Sequence, residues 1–225
     1  MTDSLAAAQC RAAAVTQRSH RPRERRCNPL PDARASVGFL SRMTVRDPGD
    51  LVELALPDDA PAGIVTFDGY ASVYEAPYEM WDAFGPYTEV VSVGAAAASL
   101  ATDGLDVPLV LGHDSVRRIA RTTNGTLTLT EDGHGLRVVA ELDAADEDVS
   151  YIVPKIRAGL IDEMSFMFRI VKGMWSPDYT EYRIDAFDIH RGDVSIVGYG
   201  ANPATSAELR TPTDLRLRLA LAAAL

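Results

Sequence analysis

Cysteine is nearly missing from this chain. Its two cysteines, Cys10 and Cys27, both fall within the first 27 residues, so the long remainder has none. That excludes a disulfide scaffold, a thiolate zinc site and a cysteine nucleophile for the main body, and it fits a reducing compartment. Long apolar runs are also lacking. None approaches the roughly 18 residues that a membrane-crossing helix needs, so no membrane partner is expected. Basic residues are scarce beyond the N-terminal stretch. The chain has 22 Lys+Arg against 32 Asp+Glu, a net charge of −10. Residues 1–42 carry eight arginines and three acids, which leaves −15 for residues 43–225. An acidic body argues against a phosphate-binding groove, so no nucleic-acid partner is expected. HExxH, Walker A and GxSxG patterns are all absent.

What is present suits one folded domain with tails. The chain has 225 residues, of which 47% are hydrophobic, enough for a core in a domain of about 160 residues. Residues 1–46 read as a disordered, Arg-rich leader (Arg18, Arg21, Arg23, Arg25, Arg26), with no secretory signal core. A transit peptide, or an upstream extension before a start at Met43, are the other readings of that segment. Residues 47–205 read as the folded domain, and residues 206–225 as a tail with an amphipathic helix over Leu215–Leu225.

Within the domain, Ile64–Tyr74 alternates and is predicted as a strand. Ala76–Glu89, with Pro77, Gly85 and Pro86, reads as a long loop. Val93–Thr102 reads as an Ala-rich helix and Val107–Leu111 as a buried strand. Val116–Arg121 and Thr126–Glu131 read as a hairpin about Asn124-Gly125, with Leu136–Leu142 as the next strand. Val149, Ile152, Val153 and Ile156 fall on one helical face, capped by Asp146 or Asp148, with Pro154 expected near the first turn. Leu160–Val171, Tyr182–Ile189 and Val194–Tyr199 are strand-like. The fold class is therefore mainly β with peripheral helices (α+β), as a small closed or partly open β-barrel.

Three segments can carry chemistry. In Gly159–Phe168, Met164, Phe166 and Phe168 share one strand face, leaving Ser165 on the other, rigidly held. That suits a nucleophile, and equally an ordinary small polar strand residue. His113 ends the run Pro108-Leu109-Val110-Leu111-Gly112. An imidazole, a group that titrates near neutrality, is well placed at a strand end as a general base, or is simply a turn residue. In Asp188–Val197, Asp193 and Ser195 share a face, while His190 lies on the other unless Gly192 introduces a bulge. Asp193 is either an acid that orients an imidazole or a solvated strand-entry carboxylate. No ligand spacing supports a metal site, although a metal-dependent hydrolase built on His113-Asp114 is a further reading.

Taken in order, these segments resemble the bacteriophage prohead proteases, serine endopeptidases of capsid maturation related to the herpesvirus assemblins. Phe67-Asp68-Gly69-Tyr70-Ala71 is similar to the family's opening strand, Val91–Leu100 to its helix before the histidine, and Leu109–Asp114 to its His strand. Gly135-Leu136-Arg137-Val138 is similar to the strand after its hairpin, and Gly159–Phe168 to its Ser strand, where Met-Ser-Phe is typical. Asp193–Val197 with Ala201-Asn202-Pro203-Ala204 is similar to its closing signature. Coverage runs over about residues 64–205.

The resemblance implies His113 as general base and Ser165 as nucleophile, with Asp193 as third member where relatives often have Glu. Assemblins use a second histidine there, which keeps His190 as the alternative. It implies no metal or organic cofactor. As substrates it implies scaffold protein and the scaffold-like segment of the major capsid protein, with self-cleavage, inside the prohead in the bacterial host. A homodimer is implied by analogy with assemblins. The alternative function is a catalytically silent capsid-assembly module of the same fold.

Overall fold

A computed structural model of the chain describes residues 2–19, 24–26, 34–35, 63–82 and 84–209. The tail helix expected at Leu215–Leu225 lies outside the described residues. In chain order the strands and helices begin with α1 (Thr2–Arg18), β1 (Glu24–Arg26), β2 (Arg34–Ala35), β3 (Ile64–Val73), β4 (Tyr78–Asp82) and β5 (Gly85–Val91). They continue with α2 (Ala97–Leu100), β6 (Pro108–Leu111), β7 (Arg118–Arg121), β8 (Leu127–Glu131) and β9 (Gly135–Asp143). The last are α3 (Glu147–Arg157), β10 (Glu163–Trp175), β11 (Glu181–Val197) and β12 (Ser206–Leu209).

The described strands fall into two sheets. The smaller has the order β12-β3-β9-β8. The larger runs β1-β10-β11-β5-β4, with β2 also on β10 and with β6 joining β11 to β7. The mainly β class is as expected; these pairings do not close into a ring, so no closed barrel is found among the described residues. One continuous core fills the space between the sheets, from Phe67, Leu136 and Leu142 on one side to Met164, Phe166 and Ile189 on the other. Gly69 marks a close approach of β3 to β12 and to Met164 of the larger sheet. A Cβ there would lie 2.2 Å from the Ser206 carbonyl oxygen and 2.8 Å from the Met164 sulfur.

Several expectations change. Ala76–Glu89 is the β4–β5 hairpin, with Trp81 opposite Pro86. Pro86 is tolerated because β11 pairs β5 only over Thr88–Val91, so its missing N–H faces no second strand. Val116–Arg121 and Thr126–Glu131 do not pair with each other: β7 pairs β6, and β8 pairs β9, in different sheets. The Arg121 N–H donates to Thr126 Oγ1 at 2.9 Å across a 3₁₀ turn at Thr122–Asn124, which turns the chain away before a hairpin can form. Asp146 caps α3 by accepting from the N–H groups of Asp148 and Val149, and Pro154 sits late in the helix rather than in its first turn. The Ser150 carbonyl that Pro154 leaves without its helical donor belongs to an exposed residue, so water can satisfy it.

Three described stretches lie within the segment expected as a disordered leader. Thr2–Arg18 is helical, and β1 and β2 pair with β10. Ala14 is fully buried, and a Cβ on Gly85 would lie 3.3 Å from both the Ala14 Cβ and the Cys10 sulfur. The helix thus packs on the β4–β5 turn. At the other end of the domain, the chain beyond residue 205 does not start as a tail. It forms β12, paired with Phe67–Tyr70 of β3.

Candidate active site

Two strands set the frame. β10 and β11 are antiparallel, with Ser165 opposite Ser195 and Met167 opposite Asp193. β6 lies along the other side of β11 in parallel, with Val110 beside Ser195. Directly opposed residues put their side chains on the same face, with Cα atoms about 4.5–5.5 Å apart. Ser165, Ser195 and Asp193 therefore share one face. On the opposite face, Phe166 and Phe168 stack with ring centroids 4.2 Å apart, against Phe187.

His113 enters from the end of β6. Gly112 and His113 both adopt positive φ, 60° and 59°, and the Asp114 N–H donates to the Leu111 carbonyl at 3.1 Å. Positive φ at both central residues is the mark of a type I′ turn, a conformation that Gly adopts freely and that costs most other residues energy. The turn folds the ring back over β11. His113 Nδ1 lies 2.7 Å from Asp193 Oδ1, and the His113 backbone N–H donates to Ser195 Oγ at 2.9 Å. His113 Nε2 is buried and has no hydrogen-bond partner among the described residues. Asp193 holds one ring nitrogen and leaves the other open to a proton donor.

The structure thus brings His113 and Asp193 into contact and puts Ser165 one strand away on the same face. Ser165 is 2% exposed. His190 goes elsewhere. Its Nδ1 accepts from the Asp106 backbone N–H at 3.2 Å. Asp106 is in turn gripped by both the Nε and an Nη of Arg121, each at 2.7 Å, which holds its carboxyl below the usual range.

The reason lies in a bulge. The β10–β11 register shifts between Met167 and Arg169, so Ile189–Gly192 stand opposite Phe168 alone. Its backbone groups find partners outside the ladder: the His190 N–H bonds the Asp188 carboxylate, the His190 carbonyl accepts from Arg169, and the Arg191 N–H bonds the Asp106 carbonyl. Gly192 has to be glycine here, since a Cβ would lie 1.9 Å from the Met167 carbonyl oxygen.

Ser195 was not singled out from the sequence as a site residue. The available signal was a hydroxyl inside the apolar run Val194-Ser195-Ile196-Val197, fully buried in the structure. The arginines near His113 are engaged elsewhere. Arg117 donates to Asp148 at 2.8 Å, and Arg118 to the Ser115 carbonyl at 2.6 Å. Beside Ser165, burial pushes the Glu163 carboxyl above its usual range, although it accepts from the Gly200 N–H at 2.6 Å. No cluster of three metal-ligating side chains occurs among the described residues, and no helix among them is long and apolar enough to cross a membrane.

A profile described as caudovirus prohead serine protease matches residues 53–215. The chain belongs to that family. Membership makes it a serine peptidase with a role in capsid maturation, with capsid proteins as its substrate class and the phage prohead in the host cell as its place of action. The match spans β3 through β12 and all three segments singled out for chemistry, and leaves β1 and β2 outside it. No curated protein gives a significant match to the chain.

Proposed function

We propose that Ser165, His113 and Asp193 act as nucleophile, general base and orienting acid in an acyl-enzyme peptide hydrolysis. The observation that carries this reading is the 2.7 Å contact between His113 Nδ1 and Asp193 on the strand face that also bears Ser165. The carboxylate sets the ring tautomer, leaving Nε2 unprotonated and able to accept the hydroxyl proton as Ser165 Oγ attacks the scissile carbonyl. Asp193 then stabilises the imidazolium, which returns the proton to the departing amine. Water repeats the sequence on the acyl-enzyme. Ser195 acts as a positioning residue: it holds the backbone of His113, not its ring. The substrates in this reading are scaffold protein and the scaffold-like segment of the major capsid protein.

Co-expression with the cognate major capsid protein tests it. Wild type shortens the capsid protein and Ser165→Ala does not. If both leave it intact, the chain is a silent assembly module of the same fold. Cleavage that persists in Ser165→Ala overturns the assignment of the nucleophile.

A further inference from the structure

The N-terminal segment takes no part in this chemistry, yet it is anchored by a buried cation. Arg18 is 1% exposed. Its guanidinium donates to the two Asp82 carboxylate oxygens at 3.0 and 2.8 Å and to the Gly85 and Pro86 carbonyls at 2.6 and 3.1 Å. It also lies 5.0 Å from the ring centroids of both Tyr87 and Trp175. A charge taken out of water needs such partners, and here it has a full set.

Trp175 is the last residue of β10. From that end, the N-terminal segment attaches along the outer edge of β10, antiparallel to it. β1 faces Lys172–Met174, and β2 faces Met167 and Phe168. The attachment points advance toward Ser165, and the last stops two residues short of it. On the far side of Ser165 the edge is closed, because Thr205 Oγ1 lies 3.1 Å from the Met164 nitrogen and 2.8 Å from its carbonyl oxygen. The outer edge that runs on from Ser165 toward Trp175 is therefore the edge on which β2 and β1 sit, at Met167–Phe168 and Lys172–Met174. An endopeptidase receives its substrate as an extended chain, and a sheet edge binds such a chain through its unpaired N–H and C=O groups.

We propose that the N-terminal segment is a cis-acting competitor for the substrate edge of β10, and that a capsid-protein segment must displace β2 to reach Ser165. The proposal rests on the reading of Ser165 as nucleophile. A tethered strand competes at an effective concentration on the order of millimolar, so dilute substrate is cut slowly and concentrated substrate displaces it.

The test uses the full chain and two ways of loosening the strap. Arg18→Ala removes the anchor, and the pair Arg34→Pro with Ala35→Pro removes the β2 N–H donors without touching it. Both should raise kcat/KM for the cognate major capsid protein by about tenfold or more, through KM, with kcat little changed. Labelling of Ser165 by a small fluorophosphonate, which needs no strand pairing, should change less than about twofold. In a Ser165→Ala background the same variants should bind the capsid protein about tenfold more tightly. Unchanged KM and binding, in variants whose β10 amides exchange faster than wild type, overturn the proposal. So does a fall in kcat/KM. If wild type fails to label at Ser165, the catalytic reading itself has failed. The binding arm then still decides: tighter capture by the loosened variants supports competition at the edge, and equal capture overturns it.

Discussion

In the four-stranded sheet, β8 and β9 pair without interruption from Leu127–Ala140 to Glu131–Leu136, and β3 and β9 shift register once, between Tyr70 and Ser72. Arg137 and Asp68 pair across it at 2.9 Å. The β10–β11 pair shifts register at three places, and His113, in the turn after β6, and Arg191, in the bulge of β11, have positive φ of 59° and 60°. The two regions share one core and similar strand composition. Regular pairing gives stiffness with side chains at fixed alternation. A bulge or a left-handed turn breaks that alternation and re-aims one side chain while the ladder on either side survives. Here the re-aimed groups are an imidazole and the residues around its carboxylate. The regular sheet serves as the floor on which the irregular one is held.

That contrast is breakable. The largest expected effect is on the irregular side: Ser165→Ala or His113→Ala should lower capsid-protein cleavage by about 10⁴–10⁶-fold. Their melting temperatures should stay within about 3 °C of wild type. Next comes Asp193→Asn, which keeps the shape of the acid but loses its charge. It should cost up to about 10⁴-fold in kcat, and a rate near wild type would remove Asp193 from the machinery.

Two substitutions then set the regions directly against each other. Gly192→Ala drives a methyl into the Met167 carbonyl and should destabilise by about 3 kcal/mol while also lowering kcat, because Asp193 directly follows the bulge. Leu136→Ala, in the fully buried heart of the regular sheet, should cost about 3 kcal/mol by chemical denaturation and leave kcat at low temperature unchanged. Equal losses of kcat in both would erase the distinction between floor and site.

The smallest effect is on pH dependence, and its sign differs between the regions. Burial raises the Glu163 carboxyl beside Ser165 above its ordinary value of 4.5. Its ionised form is thus penalised in the folded state, so this group's contribution to stability grows as pH falls from neutrality toward 4.5. Asp132, in the β8–β9 turn, behaves the other way. Burial opposes ionisation there, but the Tyr70 hydroxyl and the Gly135 and His134 N–H groups outweigh it and hold the carboxyl below 3.8. Its stabilisation is present above 3.8 and is lost as pH falls below that. Glu163→Gln should flatten the first trend and Asp132→Asn the second in melting temperatures measured from pH 3 to 7. Parallel curves for both variants and wild type would show that neither carboxyl feels its surroundings as described.

Much of the local structure could be read from residue patterns. The period of two in β10 put Met164, Phe166 and Phe168 on the core side and Ser165 on the other. The i, i+3, i+4, i+7 set at Val149–Ile156 and a capping acid at Asp146 or Asp148 marked α3. The β4–β5 hairpin was hidden because Pro77, Gly85 and Pro86 signal loop wherever the partner strand is unknown. Asn124-Gly125 signalled a hairpin that side-chain bonds from Thr126 prevent. The Arg18 anchor was unreadable for a related reason: in an Arg-rich stretch each arginine looks solvated until a half-buried carboxylate and two aromatic rings are placed around one of them.

Residue order alone settled several of the strands, among them β3, β6 and β8 to β11, and which face of β10 is apolar. Those are short-range matters, decided by alternation and turn chemistry along a few neighbouring residues, whereas the serine-peptidase reading rested on resemblance to a family. Folding decided which histidine meets an acid. His113 reaches Asp193, and His190 turns to Asp106, because a left-handed turn after β6 and a bulge in β11 aim them. Both depend on β6 and β11 lying side by side, although 80 residues of chain separate His113 from Asp193.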